Sequence, residues 1–203
     1  MQDSPDRKKA RKREVISISG DPARTIQRLK DANIGWHFIC EIHSPDVDFE
    51  AIRAEYKELG YRAVSTEWLF VHSLVDLPAK PDSDLVVKID SQEIMETIPQ
   101  TAAHKRQLMP GTTKFAIHDG LSDTGWVTHV PVGSSHWVSS LWVRPENRGN
   151  GLGRALMSAL LHHAKEQGDE ASVLLATSDG ARLYPKVGYE QIAVLQMFCP
   201  KNR

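Results

Sequence analysis

The sequence predicts a mixed α/β (α+β) fold, on three observations. From residue 85 onward, strand-like and helix-like patterns follow one another in the order β-α-α-β-β-β-α-β-α-β. Within 152–167, apolar residues recur at positions i, i+3, i+4, i+7 and i+8, which is the stripe of an amphipathic helix, and Gly168 follows as its stop signal. Upstream, residues 15–80 carry a shorter β-α-β pattern. The 203 residues therefore suit one large domain or a domain with an annex.

In the first part of the chain, alternation and helical periodicity predict four elements. These are a helix over 22–32, a strand over 36–42, a helix over 46–59 that ends at Gly60, and a strand over 61–74 with a break near Glu67. The Pro- and Asp-rich interval 78–84 is the predicted linker. The predicted organisation is a basic disordered tail (1–14), an α/β extension or cap (15–80) and a larger domain (85–203).

In the second part, turn-rich intervals separate the predicted elements. These are a strand over 85–89, helices over 91–98 and 100–108, strands over 113–117, 126–131 and 136–143, a helix over 152–167, a strand over 171–176, a short helix over 180–187 and a strand over 189–198.

Composition excludes several classes of protein. Apolar residues make up 40% of the chain, but no apolar run approaches the ~20 residues of a membrane-spanning helix. Cys40 and Cys199 are far apart and outside metal or redox spacings, as expected of thiols in a reducing compartment. The N-terminus has no apolar segment behind its charges, so we expect no secretory signal and a cytoplasmic protein.

The charge balance argues against a general nucleic-acid binder, because the net charge is only −1. The distribution is uneven, however, since residues 7–13 contain six Lys or Arg. This run is predicted to be a solvated tail, and contact with a nucleic acid or another polyanion is the alternative.

The most informative motif is the segment 141–156, LWVRPENRGNGLGRAL. A strand enters a proline-marked turn, glycines follow at alternate positions, and a helix with an apolar face begins. A helix N-terminus offers unpaired N–H groups and partial positive charge, which makes it an anion site. Glycine lets a phosphate approach the backbone closely, and Arg148 and Arg154 add positive charge. A turn that serves only for tight packing is the alternative interpretation.

Two familiar phosphate-binding patterns do not fit this motif. A P-loop requires Lys and Ser or Thr after its last glycine, and a dinucleotide loop requires a glycine where Arg154 stands. The pattern [Arg/Gln]-x-x-Gly-x-[Gly/Ala], present here as Arg148, Gly151 and Gly153, resembles the acetyl-CoA pyrophosphate loop of the GNAT superfamily of N-acetyltransferases. The segment 181–189, ARLYPKVGY, is similar to a second block of that superfamily and follows a strand as the family requires. The resemblance covers about residues 85–200.

This resemblance implies a GNAT-like fold with a central mixed, splayed sheet and acetyl-CoA as acyl donor, without a metal. Backbone groups of Leu141, Trp142 and Val143 would pair with the pantetheine arm. Thr177 stands where many members carry an asparagine near the coenzyme. Backbone amides of the loop and first helical turn would hold the pyrophosphate, namely Arg148, Gly149, Asn150, Gly151, Leu152, Gly153 and Arg154.

The resemblance also implies direct attack of an amine on the thioester, without a covalent enzyme intermediate. Tyr184 is the predicted general acid that protonates the leaving CoA thiolate. The general base is not evident: His129 and His136 have suitable ordinary pKa values, and Glu67 qualifies only if the N-terminal region covers the cleft.

The predicted function is thus N-acetylation of an amine, in a small molecule, peptide or protein, whose identity the motif does not give. The alternative is a non-catalytic acyl-CoA-binding sensor or interaction module of the same fold. Residues 15–80 are interpreted as a lid that shapes the acceptor site. An oligomerisation element, as in a homodimer, and the relic of a second acyltransferase-like half are the other interpretations. Adjacent His162 and His163 point about 100° apart on a helix and do not chelate one ion together.

Overall fold

The computed structural model describes residues 13–82, 84–99 and 107–201. In chain order its strands and helices are β1 (Glu14–Ser17), α1 (Pro22–Asp31), β2 (Phe38–His43), α2 (Phe49–Glu58), β3 (Tyr61–His72), β4 (Val87–Ile89), α3 (Gln92–Thr97), β5 (Thr113–His118), β6 (Asp123–Val132), β7 (Ser135–Val143), α4 (Leu152–Gln167), β8 (Ser172–Ala176) and β9 (Glu190–Pro200). Short 3₁₀ helices cover Pro145–Asn147 and Tyr184–Val187.

The chain forms two compact units. Unit 1 combines the chain up to Leu69 with Ala176–Ser178 and the stretch from Gln191 onward. Unit 2 comprises Phe70–Leu175 and Asp179–Glu190. These units do not follow the predicted boundaries, because the C-terminal strand lies with the N-terminal residues rather than with 85–190. Strand pairing over more than 150 residues is not visible in local patterns, which explains the difference.

Unit 1 is a sheet with strand order β1-β2-β9-β3, packed on α1 and α2. β1 runs parallel to β2, and β9 runs antiparallel to β2 with Cys40 opposite Met197. Tyr56 of α2 stacks on Phe198 of β9 at 4.0 Å between ring centroids and donates a 2.7 Å hydrogen bond to buried Glu41. The buried apolar core of this unit is formed by Ile26, Leu29, Ile39, Ile52, Tyr56, Tyr61 and Phe198.

Unit 2 is a mixed sheet with strand order β8-β7-β6-β5-β4. β7 is parallel to β8, whereas the β4–β5, β5–β6 and β6–β7 pairs are antiparallel. Helix α4 contacts β5, β6 and β7, and its buried residues extend beyond the predicted stripe. They are Leu156, Met157, Ser158, Leu160, Leu161, His163 and Ala164. The prediction of a mixed α/β fold is confirmed.

The predicted linker is not a free connection, because its first part is held along α4. Ser158 Oγ donates to the carbonyl of Ala79 at 2.6 Å, and His162 Nε2 lies 2.8 Å from the carbonyl of Pro78. Lys80 forms a 3.2 Å ion pair with Glu166. Proline and small polar residues predicted a linker, but these carbonyls serve as hydrogen-bond acceptors for a neighbouring helix.

Two further differences from the predicted elements are local. β3 is continuous through Glu67, and the predicted helix over 180–187 is only the 3₁₀ helix Tyr184–Val187. The helix predicted over 100–108 falls mainly outside the described residues, as does the predicted tail, although Glu14 begins β1. None of the helices in the described ranges is long and apolar enough to cross a membrane.

Candidate functional site

The site begins at an irregularity in β7. Trp142 pairs with Trp126 of β6, and Ser139 pairs with Thr128, so that Ser140 and Leu141 stand opposite the single residue Val127. Ser140 has φ 59°, a left-handed conformation that is uncommon for serine. This is a β-bulge, which bends its strand and interrupts the regular ladder.

β7 separates from β8 after Trp137, just before the bulge. Within the described residues, β7 and β8 pair at two positions, His136 with Ser172 and Trp137 with Val173. The later part of β7, from Val138 to Val143, therefore does not pair with β8. A parallel pair that opens in this way leaves a cleft between strands, with backbone N–H and C=O groups of β7 along one wall. The splayed arrangement that the family resemblance implies is thus present in unit 2.

The loop after β7 has two glycines in conformations that disfavour other residues. Gly149 has φ 82° and Gly151 has φ 80°. A Cβ built on either glycine meets no heavy atom within 4 Å, so the space beside both is open. The left-handed backbone and the open space together explain why glycine suits these two positions. They also provide the concave run of backbone amides that binds anions.

Helix α4 begins at Gly151 without a side-chain cap. Its first intrahelical bond runs from the Ala155 N–H to the Gly151 carbonyl at 3.0 Å. The preceding N–H groups, of Leu152, Gly153 and Arg154, lie in the first turn, where an α-helix has no carbonyl to offer them. An uncapped first turn facing open space is suited to an anionic ligand.

Gly153 also has a packing role that the sequence did not suggest. A Cβ at this position would lie 3.2 Å from Leu183 Cδ2 and 3.9 Å from Val143 Cγ2. The missing Cβ therefore makes room for Leu183, which precedes Tyr184. This contact brings the two sequence motifs together in unit 2.

Three arginines flank the loop. Arg148 is exposed, and its Nε donates to the Val143 carbonyl at 3.0 Å, which fixes the side chain at the end of β7. Arg154 is exposed on the first turn of α4. Arg144 was not singled out from the sequence, yet its Nη2 donates to the Asp123 carbonyl at 2.7 Å and secures the loop to β6. Arg144 is also paired with Glu146 at 3.6 Å, so Arg148 and Arg154 are the cations that make the surroundings of the uncapped helix favourable to negative charge.

Tyr184 is buried, with only 6% of its surface exposed. Its ring centroid lies 5.5 Å from that of Phe70 and 5.7 Å from that of Tyr189. Burial raises the pKa of the phenol to about 12. The hydroxyl therefore keeps its proton throughout the neutral range, as a general acid requires.

The turn that carries Tyr184 is held by a residue that the sequence did not indicate. His72 is buried, and its Nδ1 accepts a 2.8 Å hydrogen bond from the Leu74 N–H. Its ring lies 5.2 Å from that of Tyr189, and a Cβ on Gly188 would be 2.7 Å from His72 Nε2. His72 thus packs directly against the end of the 3₁₀ helix that begins at Tyr184.

The three candidates for a general base differ in their burial and in their partners. His129 and His136 are buried and contact Asp169, at 2.7 Å from His129 Nε2 and 2.9 Å from His136 Nδ1. Glu67 is half-buried in β3. Both histidines therefore have a carboxylate partner away from the α4 N-terminus, which weakens their assignment as the base.

The remaining predicted coenzyme-binding residues lie on β7, in the loop after it and directly after β8. Trp142 stacks on Trp126 at 4.2 Å and packs against the apolar core of unit 2, so only its backbone can serve a ligand. Leu141 and Val143 are half-buried, and Asn150 Nδ2 donates to the Asn147 carbonyl at 3.4 Å. Thr177 is exposed and directly follows β8.

Gly125 of β6 is a positioning residue that a lone glycine within a strand could have indicated. A Cβ there would lie 2.9 Å from the Trp142 carbonyl oxygen and 3.2 Å from Leu156 Cδ1. Only glycine permits β6, β7 and α4 to approach so closely at the base of the loop.

Comparison with known proteins agrees with this geometry. Residues 111–191 match the sequence model of the family described as Acetyltransferase (GNAT) domain. A search of curated proteins gives no match.

Similar solved structures include a GCN5-related N-acetyltransferase from Kribbella flavida, at 20% identity and a TM-score of 0.57, with 90% of this chain and 77% of that chain covered. Another, from Sphaerobacter thermophilus, has 17% identity and a TM-score of 0.57, covering 87% of this chain and 64% of that chain. A GCN5-related N-acetyltransferase-like protein from Streptococcus suis has 17% identity and a TM-score of 0.53, covering 86% and 76%. At these identities the likeness shows a shared fold.

Proposed function

We propose that the protein transfers the acetyl group of acetyl-CoA directly to an amine, in keeping with the match of residues 111–191 to the GNAT acetyltransferase domain model. The observation that carries the proposal is the start of α4. There the Gly149 and Gly151 conformations, the open space beside them and the uncapped first turn form an anion cradle. The pyrophosphate of CoA is an anion of the size and charge for which such a cradle is suited.

The splayed end of β7 supports a role for the coenzyme's pantetheine arm. This arm carries amide groups, which pair with backbone N–H and C=O groups as an added strand does. The opening between β7 and β8 after Trp137 supplies such an edge in line with the α4 junction. In the proposed complex, Leu141 and Val143 lie alongside the arm, and the amides of Arg148–Arg154 surround the pyrophosphate.

The chemistry requires orientation and two proton transfers. The neutral amine attacks the thioester carbonyl carbon, the C–S bond breaks, and the sulfur leaves as thiolate while the nitrogen loses a proton. Tyr184 is the proposed donor to the thiolate, because its raised pKa keeps the phenol protonated at neutral pH. The acceptor nitrogen gives its proton to solvent or to a base that we do not assign.

The direct test is release of free CoA from acetyl-CoA in the presence of amines. The purified protein would be incubated with acetyl-CoA and, separately, polyamines, aminosugars, amino acids and peptide N-termini, with thiol release followed by a chromogenic reagent. Amine-dependent thiol release, with mass-spectrometric detection of the acetylated amine, is the expected result.

The same assay separates an enzyme from a binding module of the same fold. Tight binding of acetyl-CoA with no thiol release across the amine classes would favour the sensor. Failure to bind acetyl-CoA would contradict both, because each depends on the α4 cradle.

A further inference from the structure

A group of three potential ligands lies at the end of unit 2 where α4 terminates. His129 lies on β6, His136 lies on β7, and Asp169 follows directly after Gly168, which caps α4. Asp169 Oδ2 lies 2.7 Å from His129 Nε2 and 2.9 Å from His136 Nδ1. Each of the three residues offers one ligand atom, and these atoms all lie within 4.8 Å of one another.

The histidines are protected from solvent, and the carboxylate is not fully enclosed. The side chains of His129 and His136 are 3% and 0% exposed, whereas that of Asp169 is 11% exposed. The group is therefore closed to bulk solvent except on the side of Asp169.

Hydrogen bonding leaves this group incompletely satisfied. His129 Nδ1 and His136 Nε2 are buried and have no hydrogen-bond partner among the described residues. The ion pairs of Asp169 within the described ranges are those with the two histidines, so the Asp169 carboxylate has no lysine or arginine beside it. These two nitrogens lie on the far side of each ring from Asp169, so the ligand atoms that the group offers to one ion are His129 Nε2, His136 Nδ1 and an Asp169 carboxylate oxygen.

We propose that His129, His136 and Asp169 bind a divalent transition-metal ion of the zinc class. Two imidazole nitrogens and one carboxylate oxygen form a donor set that zinc accepts, with water in the remaining position. Zinc lies about 2.0–2.1 Å from such donors, so donors in a tetrahedral arrangement are about 3.3 Å apart. The observed 2.7 and 2.9 Å separations are shorter than that by about 0.4–0.6 Å, and all separations in the group lie within 4.8 Å, so the three side chains would shift to surround one ion.

The position of the group assigns it a structural role. The 16 residues of α4 separate it from Gly151, which at 1.5 Å per residue is about 24 Å. An ion held here would join β6, β7 and the segment after α4, three parts of the chain that are distant in sequence. Because it binds the folded chain selectively, it would raise the stability of the protein with increasing free zinc.

The site is separate from the proposed acetyl transfer, and no sequence motif marks it. The ligands are 7 and 33 residues apart, which matches no compact metal-binding spacing. The family resemblance implies an enzyme without a metal. Folding places the three residues on separate elements that meet only in the tertiary structure.

The experiment uses the full chain without an affinity tag, freed of metal by EDTA and dialysed. Zinc titration against a chromophoric zinc indicator is expected to show one tight equivalent per chain, and zinc is expected to raise Tm. Titration with Co²⁺ is expected to give visible absorption bands typical of mixed nitrogen and oxygen coordination.

Asp169→Asn is the principal variant, because it keeps the side-chain shape and removes the charge, and it is expected to lose the tight equivalent and the zinc-dependent rise in Tm. His136→Gln serves if Asp169→Asn does not fold. His162→Gln is the matched control, since His162 lies on α4 outside the group and contacts the Pro78 carbonyl. It is expected to retain both responses.

The proposal is overturned if the unmodified protein shows neither a tight zinc equivalent nor cobalt absorption. It is also overturned if Asp169→Asn and His136→Gln bind zinc as tightly as the unmodified chain. In either case the three side chains form a hydrogen-bonded network, and their variants would lower Tm equally with and without zinc.

Discussion

At the scale of single residues, the surroundings of Tyr184 determine its protonation. Its burial against Phe70 and Tyr189 raises its pKa to about 12. Because the raised pKa keeps the phenol protonated, the donor stays available as the pH rises to 9 or 10. If Tyr184 is the acid, its titration causes no alkaline decline in kcat over that range.

Tyr184→Phe is expected to lower kcat about 10²-fold, the lower end of the range for a positioned general acid. The ring contacts with Phe70 and Tyr189 are retained, so Tm and the Kd for acetyl-CoA should change little. Steady-state kinetics with saturating amine, together with calorimetry, measure the two effects.

Tyr189→Phe is the matched control for this prediction. Tyr189 belongs to the same aromatic group, but its hydroxyl is hydrogen-bonded to Ser172. Its loss should reduce stability and leave kcat near the unmodified value. Equal kcat values for Tyr184→Phe and the unmodified enzyme, with chemistry limiting, would remove Tyr184 from the mechanism.

Gly188→Ala tests how tightly the Tyr184 turn is held. Gly188 has φ 91°, and an added Cβ would lie 2.7 Å from His72 Nε2. The left-handed conformation costs about 1 kcal/mol for alanine, and the clash adds about 1–3 kcal/mol. The expected loss of free energy of unfolding is therefore about 2–4 kcal/mol, measured by urea denaturation.

Gly60→Ala isolates the backbone part of that loss. Gly60 has φ 87°, and a Cβ there meets no heavy atom within 4 Å. It should lose only about 1 kcal/mol. Equal losses at both positions would show that the His72 contact contributes nothing.

At the scale of elements, β6, β7 and α4 converge at the base of the glycine loop. Gly125→Ala would place a Cβ 2.9 Å from the Trp142 carbonyl oxygen and 3.2 Å from Leu156 Cδ1. Because backbone cannot yield as a flexible side chain does, we expect a loss of about 1–3 kcal/mol in free energy of unfolding.

Gly125→Ala should also weaken acetyl-CoA binding, since it displaces Trp142 and Val143 in the proposed binding strand. Denaturant titration and calorimetry measure the two effects. Unchanged stability would contradict the close approach of β6 and β7, and unchanged affinity would argue that this strand does not contact the coenzyme.

Local patterns predicted most elements because their signals lie within a few residues. Helix α4 and the glycines before it are short-range features, and both are present. The buried face of α4 differs from the predicted stripe, since Leu156 and Leu160 are buried but Ala155 and Ala159 are only half-buried. β1 was not predicted, because a strand usually buries its apolar residues and exposes its polar ones. In β1 the apolar Ile16 is 72% exposed and the polar Ser17 is buried. The bulge at Ser140 and the separation of β7 from β8 depend on pairing with distant strands, which a single sequence does not specify.

For the whole molecule, the domain boundaries also depend on strand pairing between distant residues, which local sequence patterns do not specify. β9 lies beside β2 in unit 1, with Ile39 opposite Phe198, although 159 residues (198 − 39) separate them. Residues 15–80 are therefore not a detachable cap, since their removal would expose one side of β9 and the Phe198 core contact with Tyr56. Their proposed influence on acceptor choice is better tested by surface substitutions than by truncation.

The free energy of unfolding should fall below about pH 6.5 through buried histidines in both units. Burial lowers the pKa of His43 in unit 1 and of His72 in unit 2. The unfolded chain, with histidine pKa values near 6.5, then binds more protons than the folded chain as the pH falls. The free energy of unfolding is therefore at its full value above the histidine pKa of the unfolded chain. It decreases as the pH falls from that value toward the lower histidine pKa of the folded chain.

Urea unfolding at pH 7.5 and 5.5, with EDTA present, measures this dependence. His43→Gln and His72→Gln should each reduce the difference in free energy of unfolding between the two pH values. Parallel pH profiles for the variants and the unmodified chain would show that these two histidines do not cause the acid sensitivity.

If the start of α4 holds the coenzyme, calorimetric titration with acetyl-CoA should detect binding that depends on Gly151. Gly151→Glu places a carboxylate in the proposed pyrophosphate position. Gly168→Glu is the matched control, because Gly168 has nearly the same φ (83° against 80°) at the other end of the same helix. We predict a Kd on the order of micromolar for the unmodified protein and the Gly168→Glu variant, and no measurable binding for Gly151→Glu. Equal binding by all three folded proteins, or none by the unmodified one, would contradict the account.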